Sequence, residues 1–284
     1  MTDISAAEIA RLRAAHPLAF RDPPAVIWRR RLVWGALALL VAWCLYAFDA
    51  SPARLWQGVE RFGRVASFMF PPHLYPTLEG WMEPIEAIAE TVAMAFLGTV
   101  LAAVAAFPLA FFGAKTINRW EWARVFMRRG FDTVRAFETL ILALIFIRAF
   151  GLGPLAGILA IAVADTGVLA KLFAEALENV SEKPVEGVRA AGGSTAQNVR
   201  FAVLPQVAPV MISNALYHLE SNTRSSTILG VVGAGGVGFM LYDRIGANNW
   251  PEVWTIIIMI IATVYLIDAL SARLRHRLIG ETAR

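Results

Sequence analysis

Seven consecutive polar residues, Glu220-Ser-Asn-Thr-Arg-Ser-Ser226, stand inside a long, largely apolar stretch. Ionisable side chains are costly at membrane depth, and where they persist they face a pore, a partner or a cavity. Glu220 and Arg224 are spaced i,i+4, so on a helix they can pair with each other. Asn222, Ser225 and Ser226 add neutral hydrogen-bonding groups on the same turns. Two further stretches flank this cluster. Before it, Glu186-Gly-Val-Arg-Ala-Ala-Gly192 leads through a polar run to Leu204-Pro205. After it, Gly233-Ala-Gly-Gly-Val-Gly238 matches the GxGxxG dinucleotide fingerprint. That fingerprint needs a preceding strand and a βαβ unit. An apolar helical stretch precedes it here, so a nucleotide site is rejected. A tightly packed turn fits better, with Gly233, Gly235, Gly236 and Gly238 letting backbones approach closely.

The elements that must hold these residues follow from composition. The 284 residues are 57% hydrophobic and 17% charged, with a mean hydropathy of +0.56. Soluble domains run nearer 45–50% apolar and about 25% charged. Repeated apolar runs of roughly 20 residues therefore predict an all-α polytopic membrane protein, because helices satisfy their own backbone groups in lipid. The net charge of +4 does not imply nucleic acid. The basic residues sit in short loops beside apolar runs, which reports topology. The single cysteine, Cys44, excludes an internal disulfide and a thiolate zinc cluster.

About six spans are expected. Residues 1–31 form a polar tail ending in Arg29, Arg30 and Arg31, with a capping-box helix over 5–15. No signal-peptide cleavage pattern is read there, so the first span, 32–48, is expected to be retained. An outer segment over 49–84 contains an amphipathic piece, 52–70, lying along the membrane. Residues 85–112 form the second span, with Glu86 and Glu90 near its outer end, followed by Lys115, Arg119, Arg124, Arg128 and Arg129 inside. The third and fourth spans, 132–150 and 155–174, meet at the tight outer turn Gly151-Leu-Gly-Pro154. Asp165 interrupts the fourth, either lining a pore or bonding between helices. An inner loop over 175–205 precedes the fifth span, 203–229. The last span, 253–270, is followed by Arg273, Arg275 and Arg277. Both termini then fall on the cytoplasmic side by the positive-inside rule. The core of this single membrane domain runs over 85–272.

The inner stretch resembles the EAA loop of ABC importer permeases. There a Glu, a Gly six residues on and a terminal Leu-Pro recur at this spacing; Gly187 and Val188 replace the first alanines of that pattern. The resemblance implies a type I, MetI-like permease core and a short coupling helix that docks on a separate ATPase. In that role Glu186 reaches the partner or caps a helix, and Ala190 and Ala191 permit close approach. Gly192 takes the left-handed conformation that ends the helix, while Leu204 and Pro205 open the fifth span. Leu216-Tyr-His-Leu-Glu-Ser-Asn222, Leu229-Gly-Val-Val-Gly-Ala-Gly-Gly-Val-Gly238 and Ala143-Leu-Ile-Phe-Ile-Arg-Ala-Phe-Gly-Leu-Gly-Pro154 are similar to the permease subunit of phosphonate importers. Phosphite and hypophosphite importers share much of that pattern. His218 stands where a basic or aromatic residue is expected in many relatives.

The resemblance implies two ATP-binding cassette subunits inside and a periplasmic phosphonate-binding protein outside. It also implies a dimer of this chain, with itself or a related permease, in the bacterial inner membrane. No cofactor is expected in this chain, which has no GxxxxGK[ST] phosphate loop; ATP and magnesium belong to the partner ATPase. Arg224 becomes the leading pathway residue, since a guanidinium fork matches phosphonate oxygens. Glu220, Asn222, Ser225 and Ser226 complete the expected pathway, and 231–240 the outer gate. An ion-coupled secondary transporter is the alternative class, disfavoured by the Glu186–Pro205 loop. Four scattered histidines (His16, His73, His218, His276), without HExxH or a nucleophile–base pair, argue against an enzyme.

Overall fold

The computed structural model describes residue 15, residues 24–118 and residues 120–280, with side chains through residue 277. The helix expected over 5–15 therefore lies almost wholly outside the described residues, as does Arg119. The chain forms two compact units, Met1–Ser67 and Phe68–Arg284. In the first, helix α1 (Pro24–Ala47) is long and apolar enough to cross a membrane and buries none of its residues. It takes in Arg29, Arg30 and Arg31, which were expected to precede the span. Helix α2 (Pro52–Met69) follows after a short link.

The second unit is a helical bundle, and among the described residues it contains no strand. Helix α3 (Leu78–Gly113) and helix α6 (Pro154–Glu178) make its most extensive helix pair. Their facing residues are small: Gly98, Ala102, Ala106 and Ala110 on one side, Gly157, Ala160, Ala170 and Ala174 on the other are all buried. Lipid tails are as apolar as leucine, so small residues that bring backbones together do the packing that water exclusion does in soluble cores. Between these helices run α4 (Glu121–Arg135) and α5 (Thr139–Phe150). The expected third span over 132–150 is thus broken near residues 136–138. Its apolar part is only 12 residues, about 18 Å of helix, too short to span alone. The strongly amphipathic α4 precedes it, laying Phe131 against Gly113 and Ala174.

Glu178 ties the inner ends of these helices. Its Oε1 accepts from the Arg128 guanidinium at 2.6 Å and from Lys115 N at 2.5 Å. Arg128 Nε also donates to Gly113 O, at 3.1 Å, satisfying a carbonyl at the end of α3. Helices α7 (Glu182–Ala190) and α8 (Thr195–Asn198) form the inner loop. A π-helical turn over Val199–Val203 leads into α9 (Leu204–Leu229). A second π-helical turn, Gly230–Ala234, leads to α10 (Gly236–Gly246), and α11 (Trp250–Gly280) closes the bundle. The last helix runs on through Arg273, Arg275 and Arg277 instead of ending before them. Helices α1, α3, α6, α9 and α11 satisfy length and hydropathy for a span, and α5 is the shorter sixth apolar helix.

A Cβ at Gly98 would lie 2.7 Å from the Ile161 side chain on α6. Gly98→Leu is expected to lower the thermal unfolding midpoint in detergent by several degrees, since overpacking a tight core costs about 1–3 kcal/mol. Gly58→Leu, where nothing lies within 4 Å of the added Cβ, is the matched control and is expected not to lower the midpoint.

Candidate coupling loop, polar belt and outer turn

The inner loop is clipped at both ends. The backbone N–H of Ser181, just before α7, donates to Gln206 Oε1 at 3.1 Å. The Gln206 amide donates to Ala202 O at 2.7 Å, so one side chain fixes the start of α7 against the start of α9. Within α7, Val185 and Val188 are half-buried while Glu186, Gly187 and Ala190 are exposed, as is Ala191 just after it. Gly192 follows with φ +80, the left-handed value expected of it. A Cβ on the next residue, Gly193, would meet Val188 O at 2.7 Å. Ser194 then caps α8 in a reciprocal box with Gln197. Leu204 packs against the apolar core around Val207 and Met211, and Pro205 sits in the first turn of α9. The result is a braced helix with its small-residue face uncovered. Glu186 makes no hydrogen bond or ion pair among the described residues.

The polar residues of α9 divide between faces. Asn222 is buried and turned toward α3 and α6, its amide donating to Asp165 Oδ2 at 2.5 Å and to Thr99 Oγ1 at 2.9 Å. His218, one turn earlier, places Nδ1 3.1 Å from the same Asp165 oxygen. Asp165, left open between two roles by the sequence, bonds between helices. Glu220 and Arg224 turn toward α11. Glu220 accepts from Arg275 at 2.9 Å, a closer partner than Arg224 at 3.7 Å. Arg224 also lies 3.8 Å from Asp268, and its side chain remains 54% exposed. Ser226 is fully buried, and its hydroxyl has no partner among the described residues; Ser225 is half-buried. The five expected pathway residues therefore do not converge on one surface. Arg224 is the charged one of them that reaches an open face.

At the far end of α9 the glycine run makes a sharp turn. Gly233, Gly235 and Gly236 have φ of +107, +83 and +68, where a side chain is strained. A Cβ at Gly238 would lie 1.9 Å from Thr227 O, so α10 folds back directly on α9. The turn is held by α3. Glu90 accepts from Gly236 N at 3.0 Å, and Thr91 Oγ1 accepts from Val237 N at 2.8 Å. These are first-turn N–H groups of α10 that have no intrahelical acceptor, and a carboxylate there also meets the positive end of the helix dipole. Gly153 N donates to Gly233 O at 3.1 Å, joining the Gly151–Pro154 turn to the same point. Glu90, Thr91 and Thr99 were not among the expected site residues, and Asp165 was expected only as one of two alternatives. The signal was a charged or hydroxyl side chain within an apolar run, which flags depth but not partner.

The class of protein follows. Residues 98–280 match the family model of the binding-protein-dependent transport system inner membrane component, and the chain belongs to that family. It is 36% identical over 252 residues to the phosphite transport system permease protein PtxC of Stutzerimonas stutzeri, covering 87% of this chain and 89% of that one. It is 36% identical over 249 residues to the phosphate-import permease protein PhnE of Mycolicibacterium smegmatis, covering 87% of this chain and 46% of that one. A solved structure of inward facing conformations of the MetNI methionine ABC transporter superposes with a TM-score of 0.61 at 24% identity. It covers 71% of this chain and 99% of the solved one, and establishes likeness of fold.

Two outcomes test this geometry. Asp165→Ala strips the acceptor from Asn222 and His218, and an unsatisfied buried polar group costs about 1–3 kcal/mol. Thermal unfolding in detergent is expected to shift down, with Asp165→Asn retaining part of the loss. Gly235→Val forces a β-branched residue to positive φ beside Glu90, whose Oε1 would lie 2.9 Å from the new Cβ. Substrate uptake by cells producing this variant at normal levels is expected to fall at least tenfold. Unchanged uptake would show that the turn plays no part in the outer gate.

Proposed function

We propose that this chain is the transmembrane subunit of an ATP-driven importer of phosphonates, working as a dimer of itself or with a related permease. Two ATPase subunits dock on the inner side and a binding protein delivers substrate on the outer side. The chain hydrolyses nothing; ATP and magnesium belong to the ATPases. Both termini lie on the cytoplasmic side, the side of Arg29–Arg31 and of the Lys115–Arg129 cluster.

The observation that carries this reading is the uncovered face of α7. A short helix braced by Gln206 and capped by Gly192, exposing Glu186, Ala190 and Ala191, is built to be touched from outside. Force applied there passes in two directions. The Ser181–Gln206 clip carries it to α9, and the Glu178 knot carries it to α3 and α4. A polar belt, the Thr99, Asp165, His218 and Asn222 contacts, keeps α3, α6 and α9 moving as one body. The far end of α9 is the glycine turn held by Glu90 and Thr91, so displacement of α9 must either move α10 or break those two bonds.

Substrate passage falls to Arg224. Its guanidinium is close enough to Glu220 and Asp268 to be held, and too far from either for a tight bond. An oxyanion with two or three oxygens can compete for its donors and then be released. Asn222 and Ser226 support the helix from its buried side, and Ser225 flanks Arg224. Phosphonate is the substrate class suggested by the resemblance. The phosphite and phosphate permeases among its relatives make phosphite and phosphate the alternatives.

Affinity purification of tagged protein from mild-detergent membranes tests the assignment. An ATPase subunit is expected to co-purify at about one copy per chain, to be lost with Gly192→Asp and weakened with Glu186→Ala. Recovery of the chain alone, under conditions that preserve known transporter complexes, would contradict it.

A further inference from the structure

Helix α2 lies outside the residues matched by the family model. At 100° per residue, Leu55, Trp56, Val59, Phe62 and Ala66 share one face, and Arg54, Gln57, Glu60, Arg61 and Arg64 share the opposite one. The four large apolar residues are 61–74% exposed. The connection to α1 is an ordered elbow. Asp49 takes φ +50 at the end of α1, with Ala50 N donating to Leu45 O at 2.9 Å. Ser51 caps α2, its hydroxyl accepting from Arg54 N at 3.3 Å. Arg54 then reaches back across the link to Asp49, donating to Oδ2 at 2.6 Å.

This elbow decides what covers the apolar face. Because α1 has the length and apolarity of a span, and only residues 48–51 separate the two helices, α2 begins at a membrane surface. A helix with one aromatic, aliphatic face and one basic face at that depth lies in the interface plane, its apolar side among acyl chains. Arg54 is occupied by Asp49. Arg61 and Arg64 make no ion pair among the described residues, and one turn of helix sets them side by side at headgroup height. We infer that α2 is an in-plane anchor whose Arg61 and Arg64 bind the phosphodiester groups of anionic phospholipids, such as phosphatidylglycerol, in the leaflet at the C-terminal end of α1. This holds whether or not the transported substrate is a phosphonate.

Two measurements on the full chain test it. In a Cys44→Ser background, a nitroxide attached at Val59→Cys in phosphatidylglycerol-containing vesicles is expected to be accessible to oxygen and shielded from a water-soluble nickel chelate. A label at Gln57→Cys gives the reverse. Native mass spectrometry of delipidated protein titrated with phosphatidylglycerol is expected to show that Arg61→Gln/Arg64→Gln weakens binding roughly thirtyfold, as about 1 kcal/mol for each of the two basic residues at a membrane surface implies. Arg61→Lys/Arg64→Lys is expected to keep most of the affinity, and millimolar inorganic phosphate not to displace the lipid. A Val59 label shielded from both reagents would place a protein partner on this face and overturn the proposal. Equal phosphatidylglycerol affinity in the wild type and the glutamine variant, or displacement by inorganic phosphate, would overturn it as well.

Discussion

The close approach of α3 and α6 is the constraint on which the second unit depends. Gly98 and Gly157 leave no room for a side chain, with Ile161 and Met94 filling the space against them. In lipid such contact draws on dispersion between well-fitted surfaces, so a single added methyl group is felt across the pair. Once those two helices are fixed, Thr99 and Asp165 stand at one level and present a shared acceptor site. Asn222 of α9 fills it, bonding to both. The polar belt is thus a consequence of small-residue packing, and it is what places α9 against the pair.

From that belt the arrangement extends toward both membrane faces. Inward, Glu178 gathers Lys115 and Arg128, and Gln206 gathers Ser181. Outward, Glu90 and Thr91 of α3 supply acceptors to α10, while Gly153 before α6 binds the carbonyl of Gly233. The same two helices therefore hold the inner loop and the outer turn. In the role proposed above, transmission of movement between two faces needs rigid elements between two joints, and the polar connections at each end of α9 would be those joints.

Much of this was legible in the sequence. The apolar helices, the left-handed Gly192 and the helix start at Pro205 follow from hydropathy and backbone rules that act locally. Gly233–Gly238 read as a packed turn because no strand precedes it. What the sequence left open depends on neighbours far along the chain. Glu220 and Arg224 are spaced to pair, yet Glu220 has a nearer partner in Arg275, because α11 continues past its apolar run. His218 looked like a weak guide and lies beside Asp165, a pairing that only the rotation of α9 against α6 sets. The expected third span begins at Asp132, inside the polar end of α4, although the apolar helix starts only at Thr139. Glu138 and the charges of α4 marked the break without locating it.

In the function we propose, the energy for transport enters through the face of α7 and not through ion movement past the polar belt. The most direct measurement is phosphonate uptake by cells expressing the chain together with its ATPase and binding protein. Ion gradients are collapsed by an ionophore while ATP is maintained, and in a second arm ATP is depleted while a gradient is imposed. Uptake that persists in the first arm and stops in the second is the predicted result. Uptake that follows the gradient and ignores ATP would overturn this assignment and make the buried Asp165–His218 pair an ion-coupling site.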